Sequence, residues 1–108
     1  MIAVIFEVTP DPAKRDTYLN IAASLRDDLE QIDGFISVER FQSLTNPDKM
    51  LSLSFFRDEQ SVAEWRKRQN HRAAQSKGRG GIFTDYRLRV AHVLRDYGMN
   101  DRDQVPPD

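Results

Sequence analysis

Few side chains in this 108-residue sequence can do chemistry at neutral pH: two histidines, His71 and His92, and a single tryptophan, Trp65. A histidine titrates near neutrality and can accept or relay a proton. Tryptophan offers a flat wall for a flat ligand, although a lone tryptophan on an amphipathic helix also serves as a core anchor. Arg87, with Tyr86 before it, opens the last apolar segment, and a guanidinium suits a phenolate or enolate. The alternative for Arg87 is an ion pair with Glu39 or Glu7. His92 alternates in phase with Leu88, Val90 and Leu94, so it reads either as a packed, hydrogen-bonded histidine or as a ligand contact. The chain has no cysteine, which excludes a thiolate nucleophile, a disulfide framework and a zinc–thiolate site. Two histidines on different elements, with no carboxylate at ligand spacing, make no metal triad. The "GRGG" run follows a helical stretch instead of opening a helix after a strand, so it is no phosphate or flavin cradle.

The segment "EWRKRQNHRAAQ" (64–75) sets a geometric condition. Six positions on an ideal helix are about 240° of rotation, so Trp65 and His71 share no face of a straight helix. Asn70 reads as a fresh cap, and a break near Gln69 and Asn70 would let both point inward. Otherwise His71 is an exposed first-turn residue.

The elements that must position these residues follow from the apolar patterning. "IAVIFEV" is apolar at both parities, as in a central strand. Asp11 and Pro12 then start a helix, with Tyr18, Ala22, Leu25, Leu29 and Ile32 on one stripe and Gly34 as its stop. Phe35–Leu44 and Met50–Phe56 alternate around the turn "TNPDK" and read as a hairpin. In the first of these runs Ile36 and Val38 oppose Phe35, Ser37, Glu39 and Phe41. Asp58 caps a second helix, and "IFTDYRLRVAHVLRDYG" supplies a last strand. The order β-α-β-β-α-β predicts an α+β, ferredoxin-like domain over residues 1–97, with a four-stranded antiparallel sheet and both helices on one face. Residues 98–108 form a polar tail. The other face of the sheet keeps Phe41, Phe56, Ala91 and Val93, a patch that predicts a homodimer packed sheet to sheet.

Net charge is −1, which gives no electrostatic footprint for nucleic acid or an acidic membrane surface. No apolar run nears the ~20 residues that span a bilayer, and "MIAVIFEV" lacks the features of a signal peptide. The expected compartment is the cytosol.

Across residues 1–97 the sequence resembles the antibiotic biosynthesis monooxygenase domain family. The likeness is carried by "IDGFISVERFQSLTNPDKMLSLSFFRDEQSVAEWRKRQNHRAAQ": the Asp-Gly-Phe lead-in to the second strand, the serine-rich third strand, and Trp65 followed by His71, Ala74 and Gln75. The resemblance implies a dimeric α+β barrel with a pocket between the sheet and the second helix. It implies one of three activities: oxidation of hydroquinones or anthrones by O₂ with no metal or flavin, haem binding and ring opening, or small-molecule binding without turnover. The haem branch fits less well, because the first strand offers Glu7 where that branch has asparagine, and Gln75 stands where its histidine would. The expected function is therefore a cofactor-independent monooxygenase of an electron-rich aromatic, with a non-catalytic binding dimer as the alternative. In that scheme Trp65 stacks on the substrate ring, His71 takes the proton and Arg87 holds the oxyanion, while Tyr86 and His92 contact the substrate.

Overall fold

The computed structural model of the chain describes residues 1–75 and 81–107, with the side chains of residues 70–75 outside that description. Seven main elements follow one another: β1 (Ile2–Pro10), α1 (Arg15–Ser24), α2 (Arg26–Glu30), β2 (Phe35–Gln42), β3 (Met50–Phe56), α3 (Glu59–Gln75) and β4 (Phe83–His92). The strands form one antiparallel sheet in the order β2-β3-β1-β4, so the apolar first strand is central, as its two-sided patterning requires. This is the ferredoxin-like α+β plan.

The first helical region departs from a single rod. Asp11 caps a short 3-10 turn (Pro12–Lys14) by accepting from Ala13 N, and the chain then divides at Leu25 into α1 and α2. At that division the Ser24 hydroxyl donates to the Ile21 carbonyl at 2.7 Å, the back-bonding that tends to bend helices. Tyr18, Ala22 and Leu29 are buried, and Leu25 and Ile32 pack beside them. The expected stripe thus survives the break.

A second departure decides which strand face is which. The β2–β3 register shifts between Phe35 and Ser37, so Phe35 and Val38 both reach the helix side while Ile36 is exposed. Phe56, expected on the uncovered face, is instead fully buried on the helix side against Trp65, Leu29 and Val38. Its edge-to-face contact with Phe35, at 5.8 Å, explains the preference. The uncovered face carries Ala3, Ile5, Leu51, Leu53, Phe55 and Phe41, set by the pairing of Ala3 with Phe55, Ile5 with Leu53, and Phe41 with Leu51.

The third departure concerns α3. It runs unbroken from Glu59 to Gln75, so the break expected at Gln69 and Asn70 is absent. The start of α3 is held tightly. Gly34 adopts φ +91°, and a Cβ there would collide with Ser61 Oγ and meet Arg57 Cβ at 3.3 Å. Arg57 N donates to Gly34 O at 2.7 Å, and the Arg57 guanidinium forks onto Asp33 at 3.1 and 3.3 Å. Asp58 Oδ1 accepts from Ser61 N (2.9 Å) and Ser61 Oγ (2.8 Å), a side-chain cap on α3.

These bonds from Ser61, with the Arg57 charge, push the Asp58 carboxyl down to about 2 from an ordinary 3.8. A depressed carboxylate pKa stabilises the folded state above the unfolded value and loses that contribution as pH falls through the folded one. Asp58→Ala should therefore lower Tm at pH 7 by roughly 4–8 °C, the scale of one lost helix cap in a domain of this size. The difference from wild type should be intact above about pH 4 and should shrink towards pH 2. Thermal melts of both proteins across that range check it, and a pH-independent difference would contradict the capping account.

Candidate active site on the helix side of the sheet

Strict alternation along β4 sorts the predicted site residues. Tyr86, Leu88, Val90 and His92 stand opposite Val8, Phe6, Val4 and Ile2, which all lie on the helix side. Arg87 stands opposite Glu7 on the other face, with Arg89 beyond it. The sheet therefore brings Tyr86 and His92 to the side where a pocket can form and sends Arg87 away from it. On that outer face Glu7 Oε2 accepts from Arg89 Nη1 at 3.0 Å and lies 3.6 Å from Lys49 Nζ. These contacts, the Arg89 hydrogen bond foremost, hold the Glu7 carboxyl below its ordinary range. The ion pair expected of Arg87 is made by its neighbour two residues on.

The helix-side row of β4 is only partly covered. Tyr86 is 62% exposed, Leu88 53% and Val90 51%, although each is apolar or aromatic and faces the layer where the core lies. At one end of the row four rings meet: Phe6 lies 5.9 Å from Phe83 and 5.7 Å from Tyr86, and Tyr18 lies 5.5 Å from Phe83. The arrangement is an aromatic shelf, open along β4, suited to an apolar or flat ligand. Phe6 and Phe83 were not singled out in the sequence, and Tyr18 was read only as part of the apolar stripe of the first helix. The signal was there in the pairing: once β1 and β4 are antiparallel neighbours, Phe6 and Leu88 share a face, and Phe83 stands at the same end, opposite Pro10.

Trp65 is buried, 8% exposed, within the cluster of Leu29, Val38 and Phe56 and with Val4 packed against it. It is a core anchor over the centre of the sheet and belongs to a different cluster from the Tyr18–Phe83–Tyr86 group. His92 is exposed at the opposite end of β4 from Tyr86, six residues and roughly 20 Å away. There it lines an open groove of about 530 Å³ with Met1, Ile2, Arg57, Asp58 and Glu59. The side chain of His71 lies outside the described residues. The unbroken helix removes the condition under which it and Trp65 were expected to share a face.

One polar side chain on the helix side was also missed. Arg40 of β2 has the parity of buried Val38, and its Nη2 donates to the Ala22 carbonyl of α1 at 3.1 Å. Its guanidinium also interacts with the Tyr18 hydroxyl. Burial raises the Tyr18 pKa above its ordinary 10.0, with the Arg40 charge opposing that shift. Among the described residues no group of three or more histidine, aspartate or glutamate side chains could hold a metal ion. No helix searched there is long and apolar enough to cross a membrane.

The model of the antibiotic biosynthesis monooxygenase family matches residues 1–77. The chain belongs to that family. Within it, the chain is 50% identical over 105 residues to the jasmonate monooxygenase ABM of Pyricularia oryzae. That match covers 97% of this chain and 49% of the relative, so the chain spans about half the length of the curated relative. Solved structures share the fold at lower identity. A Mycobacterium tuberculosis protein superposes with TM-score 0.75 at 20% identity, covering 90% of this chain and 98% of its own. A Deinococcus radiodurans protein described as belonging to the same antibiotic biosynthesis monooxygenase group gives 0.76 at 10%, with 92% and 98% covered.

For this family member the role of Trp65 in the core is directly testable. Truncating a buried tryptophan leaves a cavity and forfeits its transfer energy, typically ~3–5 kcal/mol. Trp65→Ala should lower the urea midpoint accordingly, and an unchanged midpoint would mean that the indole is not packed as described.

Proposed function

We propose that this chain is a monooxygenase whose substrate is a compact, largely apolar carboxylic acid of the jasmonate type. The observation that carries the reading is the 50% identity, over nearly all of the chain, to a protein named for that activity. The open shelf of Phe6, Phe83, Tyr86, Leu88 and Val90 supports it, since a cyclopentanone acid with a hydrocarbon side chain offers mostly apolar surface to bury. The clustering of rings favours a second reading, a flat electron-rich aromatic such as a hydroquinone or an anthrone.

The two substrates differ in their electron balance. Hydroxylating a C–H bond of jasmonate consumes O₂ and two electrons and releases water, so a reductant must supply the pair. A deprotonated hydroquinone or anthrone passes its own electrons to O₂ and needs neither metal nor flavin. In either case the protein binds the body of the substrate, keeps water from the reactive intermediate, and moves a proton. The family resemblance assigns the proton acceptor to His71, and because α3 is unbroken that role holds only for a substrate that reaches beyond the helix face of Trp65. Tyr86 lines the wall, and Trp65 supports it from the core. His92, at the far end of the row, is a contact only for a long substrate, and Arg87 is left to the outer face.

The deciding assay offers the protein jasmonic acid with NADPH, and separately a hydroquinone or an anthrone, and follows O₂ uptake and the product mass. Jasmonic acid should gain the mass of one oxygen atom. His71→Ala should slow turnover by roughly 10²–10⁴, the loss typical of a general base, and high pH should restore part of the rate for the phenolic substrate. No uptake above the spontaneous rate with any substrate would leave the binding-dimer alternative. Uptake with only the aromatic would favour the second reading.

The same reading includes a homodimer joined through the uncovered face of Ile5, Leu51, Leu53 and Phe55, which would shelter apolar surface that no helix covers. Light scattering should then give about 25 kDa, twice the 12.5 kDa chain. A value of one chain mass at micromolar concentration would exclude it.

A further inference from the structure

The helix-side core of this protein is divided. One apolar cluster gathers Val8, Tyr18, Ala22 and Met50, and a second gathers Leu29, Val38, Phe56 and Trp65. Between them, on the inner face of β2 and β3, stand Arg40, Ser52 and Ser54. Arg40 is directly opposite Ser52, and Ser54 is opposite Val38. Ser54 is buried, and Ser52 is partly so. A core position usually takes Val, Leu or Ile, so two serines beside an arginine make a polar band where apolar bulk would be more stable.

The arginine in that band lacks a counter-ion. Of the strand arginines Arg40, Arg87 and Arg89, only Arg40 points to the helix side, and no described carboxylate pairs with it. Its Nη2 donates to the Ala22 carbonyl, and its Nε is closed from solvent with no acceptor. A partly buried guanidinium with an unused donor favours an anion, because a carboxylate supplies both the opposite charge and the missing acceptor. The Tyr18 hydroxyl interacts with the same guanidinium, while the Tyr18 ring joins the aromatic shelf through Phe83 at 5.5 Å. Tyr18 therefore links the one cation on this side of the strands to the apolar surface assigned to the body of the substrate.

We propose that Arg40, with Tyr18 and Ser52, is an anion-binding site that takes the carboxylate of an apolar carboxylic acid. The proposal deepens the monooxygenase reading by assigning the group that selects an acid substrate. A carboxylate reaching Nε requires a neighbouring side chain to shift, since Nε is enclosed in the unliganded chain. The contact of Arg40 with Ala22 holds the guanidinium from the other side and keeps it oriented.

Calorimetric titration of the full chain with jasmonic acid and with its methyl ester tests this without depending on turnover. The two ligands share a body and differ in the charged oxygen. Wild type should bind the acid at least about 10-fold more tightly than the ester. Arg40→Gln should weaken the acid by about 10- to 100-fold, the range of one charge-assisted hydrogen bond, and should leave the ester unchanged. Equal wild-type affinity for acid and ester overturns the proposal, and this comparison needs no variant to fold. A folded Arg40→Gln protein that keeps the preference for the acid also overturns it. So does one that weakens acid and ester alike, as a role confined to holding the end of α1 would predict. A preference for the acid that depends on Arg40, without oxygenation of any substrate, upholds the site and sinks the monooxygenase reading. Oxygenation of acid and ester with equal kcat/KM does the reverse.

Discussion

The close approach of Gly34 to Ser61 governs how the rest of this domain is assembled. The turn into β2 and the turn out of β3 meet there, with Arg57 N bonded to Gly34 O and the Arg57 guanidinium clamped on Asp33. No side chain fits at position 34, and its φ of +91° is one that a residue with a Cβ adopts only under strain. Two consequences follow for α3. Its first turn is capped by Asp58 at a fixed place above the end of the sheet, and its second turn delivers Trp65 onto Phe56 and Val38. The exposed ion pair of Arg57 with Asp33 adds little energy by itself. Its value is in orienting two chain segments that the backbone bond already joins.

From that fixed start, the twofold alternation of the strands does the sorting. Each inner residue of β1 opposes inner residues of β3 and β4, so a single register assigns every strand side chain to one of two environments. The outer face receives Glu7, Arg87 and Arg89 together with Ile5, Leu53 and Phe55. The inner face receives the aromatic shelf, the two clusters and the polar band between them. Apolar groups and ions interleave on the outer face, a composition closer to an interface than to an open surface. Among the strand residues the inner face keeps its ionic group to one arginine, partly buried and with its Nε closed from solvent.

How far the sequence reveals this depends on whether a feature is periodic. The element order, the central first strand and the Asp58 cap follow from local rules and are found where those rules put them, while Gly34 has the expected positive φ but sits in the turn before β2, the helix having already ended at Glu30 with Gln31 as its cap. The errors arise where one residue breaks a period. The irregularity at Ile36 reverses the face of Phe35, whereas β3 alternates regularly and Phe56 was misplaced because the face it shares with Ser52 and Ser54 is the inner one. Asn70 satisfies the rule for a cap but stands inside a continuous helix, so that local preference is overridden there. For the site, Tyr86 was legible from phase alone. Arg87 was taken for its chemistry when its parity already set it beside Glu7, and Arg40 was passed over although its parity matched that of Val38. A side chain's type says what it can do, but its phase relative to known core residues says where it can do it.

The polar band carries a cost that bears on its purpose. Fully burying a Val or Leu side chain contributes ~1.5–3 kcal/mol, and Ser52 and Ser54 forgo most of that at the middle of the inner face. Arg40 adds desolvation that a bond to one carbonyl offsets only in part. A structural role does not require this combination, because a lysine or glutamine on the rim of α1 could hold the Ala22 carbonyl without a buried charge. Small hydroxyl side chains do, however, keep hydrogen-bond capacity next to the guanidinium. Natural sequences break the packing rules chiefly where function is served, and here the break lies beside an open aromatic surface and shares Tyr18 with it. On the proposed reading, the polar band that divides the core is one end of the binding site and the shelf of β4 is the other.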